Sequence, residues 1–387
     1  MNKNITPSIR YIGVYDLDLD LFEGQYIIPN GVSYNSYLIL DQKVAIMDSV
    51  DERKADEWLS NLAEALGGRT PDYLVVQHME PDHAGSIAHV AKLYPSMQIV
   101  ASARAIAMLP QFFGELDLAS RAIAVKEGDT LSLGTHTLQF IMAPMVHWPE
   151  VIVTYEQSEK ILFSADGFGK FGALCHEEEW ACEARRYYFN ICGKYGQPVQ
   201  ALLKKAAGLD IEQICPLHGH ILSDNLGYYL SLYNTWSSYE PEAKGVLVAY
   251  ASIHGGTAAA AKEFAQMLRS RGVERVALTD LCRDDMAEAI EDAFKYDRLV
   301  VAASSYDANV FPPMYDFLHH LLLKNYQRRR VGIIENGSWA PCAGRVMRCL
   351  LEQMKEIEII DPMVTICSRL NDKSRAVMEQ LADYMSK

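Results

Sequence analysis

Four potential metal ligands fall within six residues at His78-Met79-Glu80-Pro81-Asp82-His83, and each offers nitrogen or oxygen. Three more candidates follow apolar runs elsewhere: His147 after Leu138–Met142, Asp166 directly after Ile161–Ser164, and His218 after Glu212–Cys215. Taken singly, a histidine or aspartate after a strand is an ordinary turn, cap or surface residue. Taken together, a loop with four ligands needs partners from other segments to hold two ions, and three other strand ends offer them. The set of three carboxylates and four imidazoles, with no thiolate, is hard to borderline and suits iron, manganese or zinc better than copper(I). A carboxylate can face a different cation with each oxygen, and Asp166 is suited to that bridging place. Pro81 resists helix continuation, so the ligands are expected to fan out from an irregular loop.

A second set of residues suits a phosphate ester and an aromatic ring. The run Val246–Tyr250 leads into Ala251-Ser252-Ile253-His254-Gly255-Gly256-Thr257. A strand, a loop of hydroxyl and glycine residues and a helix start present amides and a helix N-terminus to an anion. It is not the G-x-G-x-x-G of dinucleotide folds, which disfavours NAD. Two further loops, Ser304-Ser305-Tyr306-Asp307-Ala308-Asn309 and Asn336-Gly337-Ser338-Trp339-Ala340, follow apolar runs. Tyr306 and Trp339 are candidates to flank a flavin ring.

The elements that must position these residues differ between the two halves. From about 26 to 165 the pattern is short strands (Ser36–Leu40, Val44–Asp48, Tyr73–Gln77, Gln98–Ala101, Leu138–Met142, Val151–Tyr155, Ile161–Ser164) with helices near 52–66, 84–94 and 103–112. Residues 177–207 read as helical, with a break near Gly193–Pro198. Strands between helices predict an α/β sandwich. From Val246 the pattern becomes strand, loop, helix, repeated, with strands Val246–Tyr250, Arg275–Thr279, Arg298–Ala303, Arg330–Glu335 and Glu356–Ile360. Helices are expected near 257–270, 285–295, 312–325, 343–354 and 371–386. Five such units predict a doubly wound, five-stranded parallel sheet, whose ligands bind at the carboxyl ends of its strands. The expected domains are 1–243 and 244–387.

The first motif resembles the metallo-β-lactamase loop H-x-H-x-D-H, with Glu80 in place of its second histidine. H-x-E-x-D-H followed by His147, Asp166 and His218 is similar to the pattern of the flavodiiron proteins. That resemblance implies an αββα metallo-β-lactamase-like sandwich fused to a flavodoxin-like domain. It implies that one iron takes His78, Glu80 and His147 and the other Asp82, His83 and His218, with Asp166 bridging. In some members the match to His83 does not ligate. His220 competes with His218, which motif position favours, while His89, His136 and His176 have no matching role. Tyr195 is a candidate to donate a hydrogen bond near the site. In the second half, Asn309-Val310-Phe311-Pro312-Pro313 is similar to the family's N-x-x-F-P-P segment. Gly256, Ser304-Ser305, Asp307 and Ala340-Pro341-Cys342 depart from its usual loops, Gly256 standing where serine or asparagine is common.

The resemblance implies FMN and two irons per chain, and a terminal reductase of O2 to water, of NO to N2O, or both. It also implies a head-to-tail homodimer or dimer of dimers. Eight cysteines contain no C-x-x-C pair, so no cysteine-ligated centre delivers electrons, and an external donor such as rubredoxin is expected. The rival readings are a binuclear zinc hydrolase, against which Glu80 argues, and a flavodoxin-type carrier with a non-catalytic metal domain. A formal charge of −14 over 387 residues argues against nucleic acid as a partner. No stretch approaches the roughly 18–20 apolar residues of a membrane helix. The N-terminus has no apolar signal core, and the expected location is cytoplasmic.

Overall fold

The computed structural model describes residues 4–176 and 179–387. Residues 177 and 178, where the reading of a helix over 177–207 begins, lie outside the described residues. The chain forms two compact units: Met1–Tyr188 with Gln197–Asn234, and Phe189–Gly196 with Thr235–Lys387. Among the described residues no helix is long and apolar enough to cross a membrane.

The first unit is built on two sheets. One has six strands in the order Ile9–Tyr11, Tyr37–Leu40, Val44–Met47, Tyr73–Val76, Gln98–Ser102, Ala122–Val125. The other has five, in the order Thr130–Ser132, Thr137–Met142, Ile152–Glu156, Ile161–Phe163, Gln213–Cys215. Val75, Met47, Tyr37 and Ile39 from the first sheet join Phe140, Ile152, Ile161 and Phe163 from the second in one buried cluster. Each such side chain contributes roughly 1.5–3 kcal/mol by leaving water, which fixes the two sheets face to face. Tyr73–Val76 is buried at every position, as a central strand covered on both faces must be. Rigid strands of this kind deliver the ligands, since His78, Asp166 and His218 all lie just beyond carboxyl ends of strands.

Pro81 behaves differently from expectation. It begins a one-turn helix, Pro81–Ala84, as its first residue. At that position the missing N–H has no partner to lose and the fixed φ suits a helix. Asp82 and His83 therefore leave a helical turn, not an irregular loop. The expected helix near 84–94 is divided, its second part running Ile87–Leu93. The helical stretch after Trp180 is continuous through Ala206, with a tightened turn at Gly193–Tyr195.

The second unit is a doubly wound sheet. Five parallel strands run in the order Val276–Asp280, Ala243–Ala251, Tyr296–Tyr306, Arg330–Asn336, Glu358–Ile366, and a two-residue strand, Asn309–Val310, pairs antiparallel with Tyr296–Tyr306. In sequence order this is 2-1-3-4-5, the flavodoxin-like arrangement, whose switch point lies beside the first strand. Val246, Val248, Val300, Ala302 and Ile334 from the sheet pack on Phe264, Leu268 and Leu381 from helices Gly256–Ser270 and Asp372–Met385. Phe189 stacks on Phe294 with centroids 4.1 Å apart, and Asn190 Nδ2 donates to the Ala287 carbonyl at 3.2 Å. These contacts explain why Phe189–Gly196 belongs to this unit.

The fifth strand runs six residues beyond its expected end at Ile360. The sheet carries the Asp361-Pro362 pair in an irregularity: Gly332 faces Ile360 while Ile334 faces Val364. A bulge is one of the few places where proline fits within a sheet.

Candidate functional site

The seven side chains of the first motif set meet at one edge of the sandwich. His78, Glu80, His147 and Asp166 form one group of potential ligand atoms, and Asp82, His83 and His218 another. Glu80 Oε2 lies 3.1 Å from His78 Nε2 and 3.0 Å from His147 Nε2. Asp82 Oδ2 lies 3.2 Å from His83 Nε2 and 3.1 Å from His218 Nε2. Asp166 faces both groups. Its Oδ2 is 3.3 Å from His78 Nε2 and 3.1 Å from His147 Nε2, while its Oδ1 is 3.2 Å from His83 Nε2 and 3.8 Å from His218 Nε2. Ala165, just before it, holds a left-handed φ of 50°, a conformation that costs a residue with a side chain about 1–3 kcal/mol and turns Asp166 off its strand.

The outer sides of the ring nitrogens are fixed. His78 Nδ1 contacts Glu150 Oε1 at 2.8 Å, and the Met79 amide donates to the same oxygen at 2.9 Å. His218 Nδ1 donates to the Ser33 carbonyl at 2.8 Å, which turns its Nε2 toward Asp82. Asp48 accepts from the Gln77 amide at 2.7 Å and from its Nε2 at 2.9 Å, and Ser49 Oγ donates to the His83 carbonyl at 2.6 Å. Burial pushes the Asp48 carboxyl up to about 6 despite those bonds.

Charge is concentrated here. Burial works to raise the Asp166 carboxyl, but the His78, His147 and His83 rings beside it hold it well below the usual range. Burial likewise opposes protonation of His147, and Asp166 with Glu80 outweighs it, lifting the ring to about 9. Glu80 is held at about 2 by His147 and His78 against the same burial. Several of these atoms are buried without a well-formed hydrogen bond: both oxygens of Asp82 and Asp166, and His147 Nε2. Buried polar atoms left this way are costly. Two imidazole Nε2 atoms also face each other 3.0 Å apart in His83 and His218. A pair of divalent cations satisfies all of them, so the residues fit a binuclear metal centre. His220 belongs to neither group. Tyr195 is half-buried in the turn Gly193–Tyr195 of the second unit and is not among the gathered residues.

The second motif set surrounds a cavity of about 890 Å³ at the carboxyl ends of the parallel strands. Every candidate flavin residue lines it except Ser252, Gly255 and Asn309. Ser252 Oγ instead accepts from the Gly255 amide at 3.1 Å, building the turn, and Gly255 takes φ +87° just before helix Gly256–Ser270. Thr257 Oγ1 and Ser304 Oγ are 2.9 Å apart across the first two loops. Tyr306 is 46% and Trp339 92% exposed at the rim. The volume is within the range of small-molecule sites, and the helix N-terminus fits an anionic end.

The family model described as ODP family beta lactamase matches residues 32–219. A Moorella thermoacetica protein named nitric oxide reductase is 29% identical over 376 residues, covering 94% of this chain and 92% of that one. A flavo di-iron protein from Thermotoga maritima superposes with a TM-score of 0.88 at 25% identity, covering 98% of this chain and 96% of the other. Over nearly its whole length the chain is similar to flavodiiron proteins. The same fold is seen in rubredoxin oxygen:oxidoreductase from Desulfovibrio gigas, with a TM-score of 0.93 at 24% identity over 99% of this chain and 97% of that one. The chain spans about half the length of the cyanobacterial diflavin flavoproteins that it also matches.

Sequence reasoning missed the residues that orient these side chains. Glu150 lies three residues after His147, and its place against His78 depends on packing that no local pattern announces. It named Cys342 only as a departure within its loop, and it missed Arg345, Ser368 and Arg369 in the cavity. The last two follow the fifth strand, and the strand-end rule would have found them had that strand been given its full length. Glu150→Gln keeps the shape but removes the charge that orients His78. It is expected to weaken iron retention on the order of ten- to a hundred-fold in competition with a chelator. Retention equal to wild type would remove the orienting role.

Proposed function

We propose that this chain reduces O2 to water, NO to N2O, or both, at two irons, with FMN in the second unit and electrons from an external donor such as rubredoxin. The observation that carries the reading is Asp166, whose two oxygens each face a separate ligand group. In this reading residues 1–243 form the diiron domain and 244–387 the flavin domain. His78, Glu80 and His147 hold one iron, Asp82, His83 and His218 the other, and Asp166 joins them. When bound, the two irons supply open coordination positions and, with FMN, the electrons that reduction of a small diatomic needs.

The chain's own groups do the rest. Glu150 and the Ser33 carbonyl take the outer N–H groups of His78 and His218, so that each ring presents Nε2 to an ion. Ile253, His254, Gly256 and Thr257 cradle the flavin phosphate, and Tyr306 and Trp339 flank the ring. The relatives named nitric oxide reductase and rubredoxin oxygen:oxidoreductase support this chemistry and donor. All eight cysteines are unbridged, which supports a reducing compartment such as the cytoplasm. Metal analysis of protein from iron-replete cells is expected to give about two irons per chain and little zinc. Two zincs and no iron, with the ligands intact, would return the reading to a hydrolase.

A head-to-tail homodimer, in which the flavin of one subunit serves the irons of the other, completes the proposal. Sedimentation is expected to show a dimer or a dimer of dimers. A strictly monomeric species with full turnover would remove that arrangement.

A further inference from the structure

The flavin cavity carries more positive charge than the proposed function uses. Arg345 and Arg369 line it, against a single acid, Asp307, in a chain of formal charge −14. Other arginines of this unit are engaged: Arg271 with Glu379 and Asp383, Arg330 with Glu358, Arg348 with Asp361, and Arg375 with Glu263. Among the described residues, Arg345 and Arg369 have no acidic partner.

Arg369 stands on the side of the phosphate loop. It follows Ser368, which is held by a clamp from Asn336: Nδ2 donates to the Ser368 carbonyl at 3.2 Å, and the Ser368 amide donates to Oδ1 at 3.0 Å. Ser368 has a left-handed φ of 67°, and its hydroxyl is 2.9 Å from that of Ser338. Such a conformation in a serine persists only where surrounding bonds impose it. The clamped segment lies against the first helical residue after the glycine turn. A Cβ on Gly256 would sit 2.6 Å from the Ser368 carbonyl oxygen and 3.3 Å from Asn336 Nδ2. A serine or asparagine at 256 would add a donor to the loop but drive this segment away. Glycine there gives up that donor and admits the segment that carries Arg369.

Arg345 belongs to another side of the cavity. Its helix, Ala343–Leu351, starts where the Cys342 and Ala343 amides donate to Ser305 Oγ at 2.9 and 3.1 Å.

We propose that Arg369 is the cationic partner of the flavin phosphate ester and the residue that makes this cavity select FMN over riboflavin. The inference rests on the reading of the cavity as a flavin site. A planar guanidinium offers paired donors to a phosphate, and an unpaired one beside a helix N-terminus adds to the fixed field of the loop amides.

The test is titration of flavin-stripped full-length protein with FMN and, separately, with riboflavin, followed by quenching of flavin fluorescence. In Arg369→Gln, FMN affinity is expected to fall on the order of ten-fold or more, while riboflavin affinity stays within about two-fold because riboflavin lacks the phosphate that Arg369 meets. Arg369→Lys should recover part of the loss, and Arg345→Gln should not discriminate between the two flavins. The wild-type preference for FMN should also decline more steeply with salt than that of the glutamine variant. Arg369→Gln binding FMN as wild type does would overturn the proposal and leave the flavin site standing. Equal losses for both flavins would also overturn it, by making Arg369 a support of the loop. Selective loss of FMN in Arg345→Gln alone would move the role to that residue. Wild-type protein that binds neither flavin would bring down the flavin reading and this inference together.

Discussion

Asp166→Asn should lower iron from about two per chain to one or fewer and reduce turnover of NO and O2 by at least about a thousand-fold. The substitution is nearly isosteric, so the fold has little reason to change. What changes is the second donor atom. Asp166 presents Oδ2 to His78 and His147 and Oδ1 to His83 and His218. An amide keeps one oxygen and puts an NH2 group, which has no lone pair to offer a cation, against one of the two groups. It also removes a negative charge that the surrounding imidazoles hold strongly ionised. Iron analysis, stopped-flow turnover and flavin content together check the outcome. Flavin content should be untouched, because the cavity is built by the second unit. Full iron with turnover within a few-fold of wild type would mean that Asp166 does not bridge.

The second large effect concerns stability. Gly219→Val is expected to destabilise the first unit by roughly 2–4 kcal/mol and to lose iron from the side of His218. Gly219 has φ +80°, and a Cβ there would lie 2.5 Å from Lys170 Cγ and 3.2 Å from the Lys170 amide nitrogen. Lys170 is fully buried, so its side chain cannot swing out to make room. A β-branched residue is poorly accommodated at such a φ. The glycine also anchors the ligand segment: its amide donates to Ser33 Oγ at 2.8 Å, and its carbonyl accepts from Asn35 Nδ2 at 2.8 Å. Denaturant unfolding followed by tryptophan fluorescence would measure the loss, with Gly219→Ala falling between the two. A valine variant as stable as wild type, with its iron intact, would show that the segment rearranges at no cost.

The cluster of candidate ligands was legible because such residues are costly to gather in a loop without a purpose. Four of them at His78–His83 forced the search for partners, and strand ends led to His147, Asp166 and His218. What orients those ligands was not legible. Glu150 and the Ser33 carbonyl reach His78 and His218 only through packing of segments 72 and 185 residues apart. Asp48 looks like any strand-ending aspartate until Gln77 is seen against it. Pro81 was misread because the effect of proline depends on position. At the first turn of a helix Pro81 initiates, and in an irregular stretch of sheet Pro362 is carried through. Ending the fifth strand at Ile360 hid Ser368 and Arg369. The alternation of parallel strands and helices followed from repetition alone, since each strand–helix unit states its period clearly over Val246 to Met385, while their order in the sheet did not.

The central claim is tested most directly by turnover of the iron- and FMN-loaded protein with a rubredoxin-type donor reduced under anaerobic conditions, NO and O2 then being supplied in separate runs. The account predicts that at least one of the two is consumed catalytically, and that turnover disappears when either the iron or the FMN is removed. A protein that holds both groups, accepts electrons from the donor and consumes neither gas would contradict it.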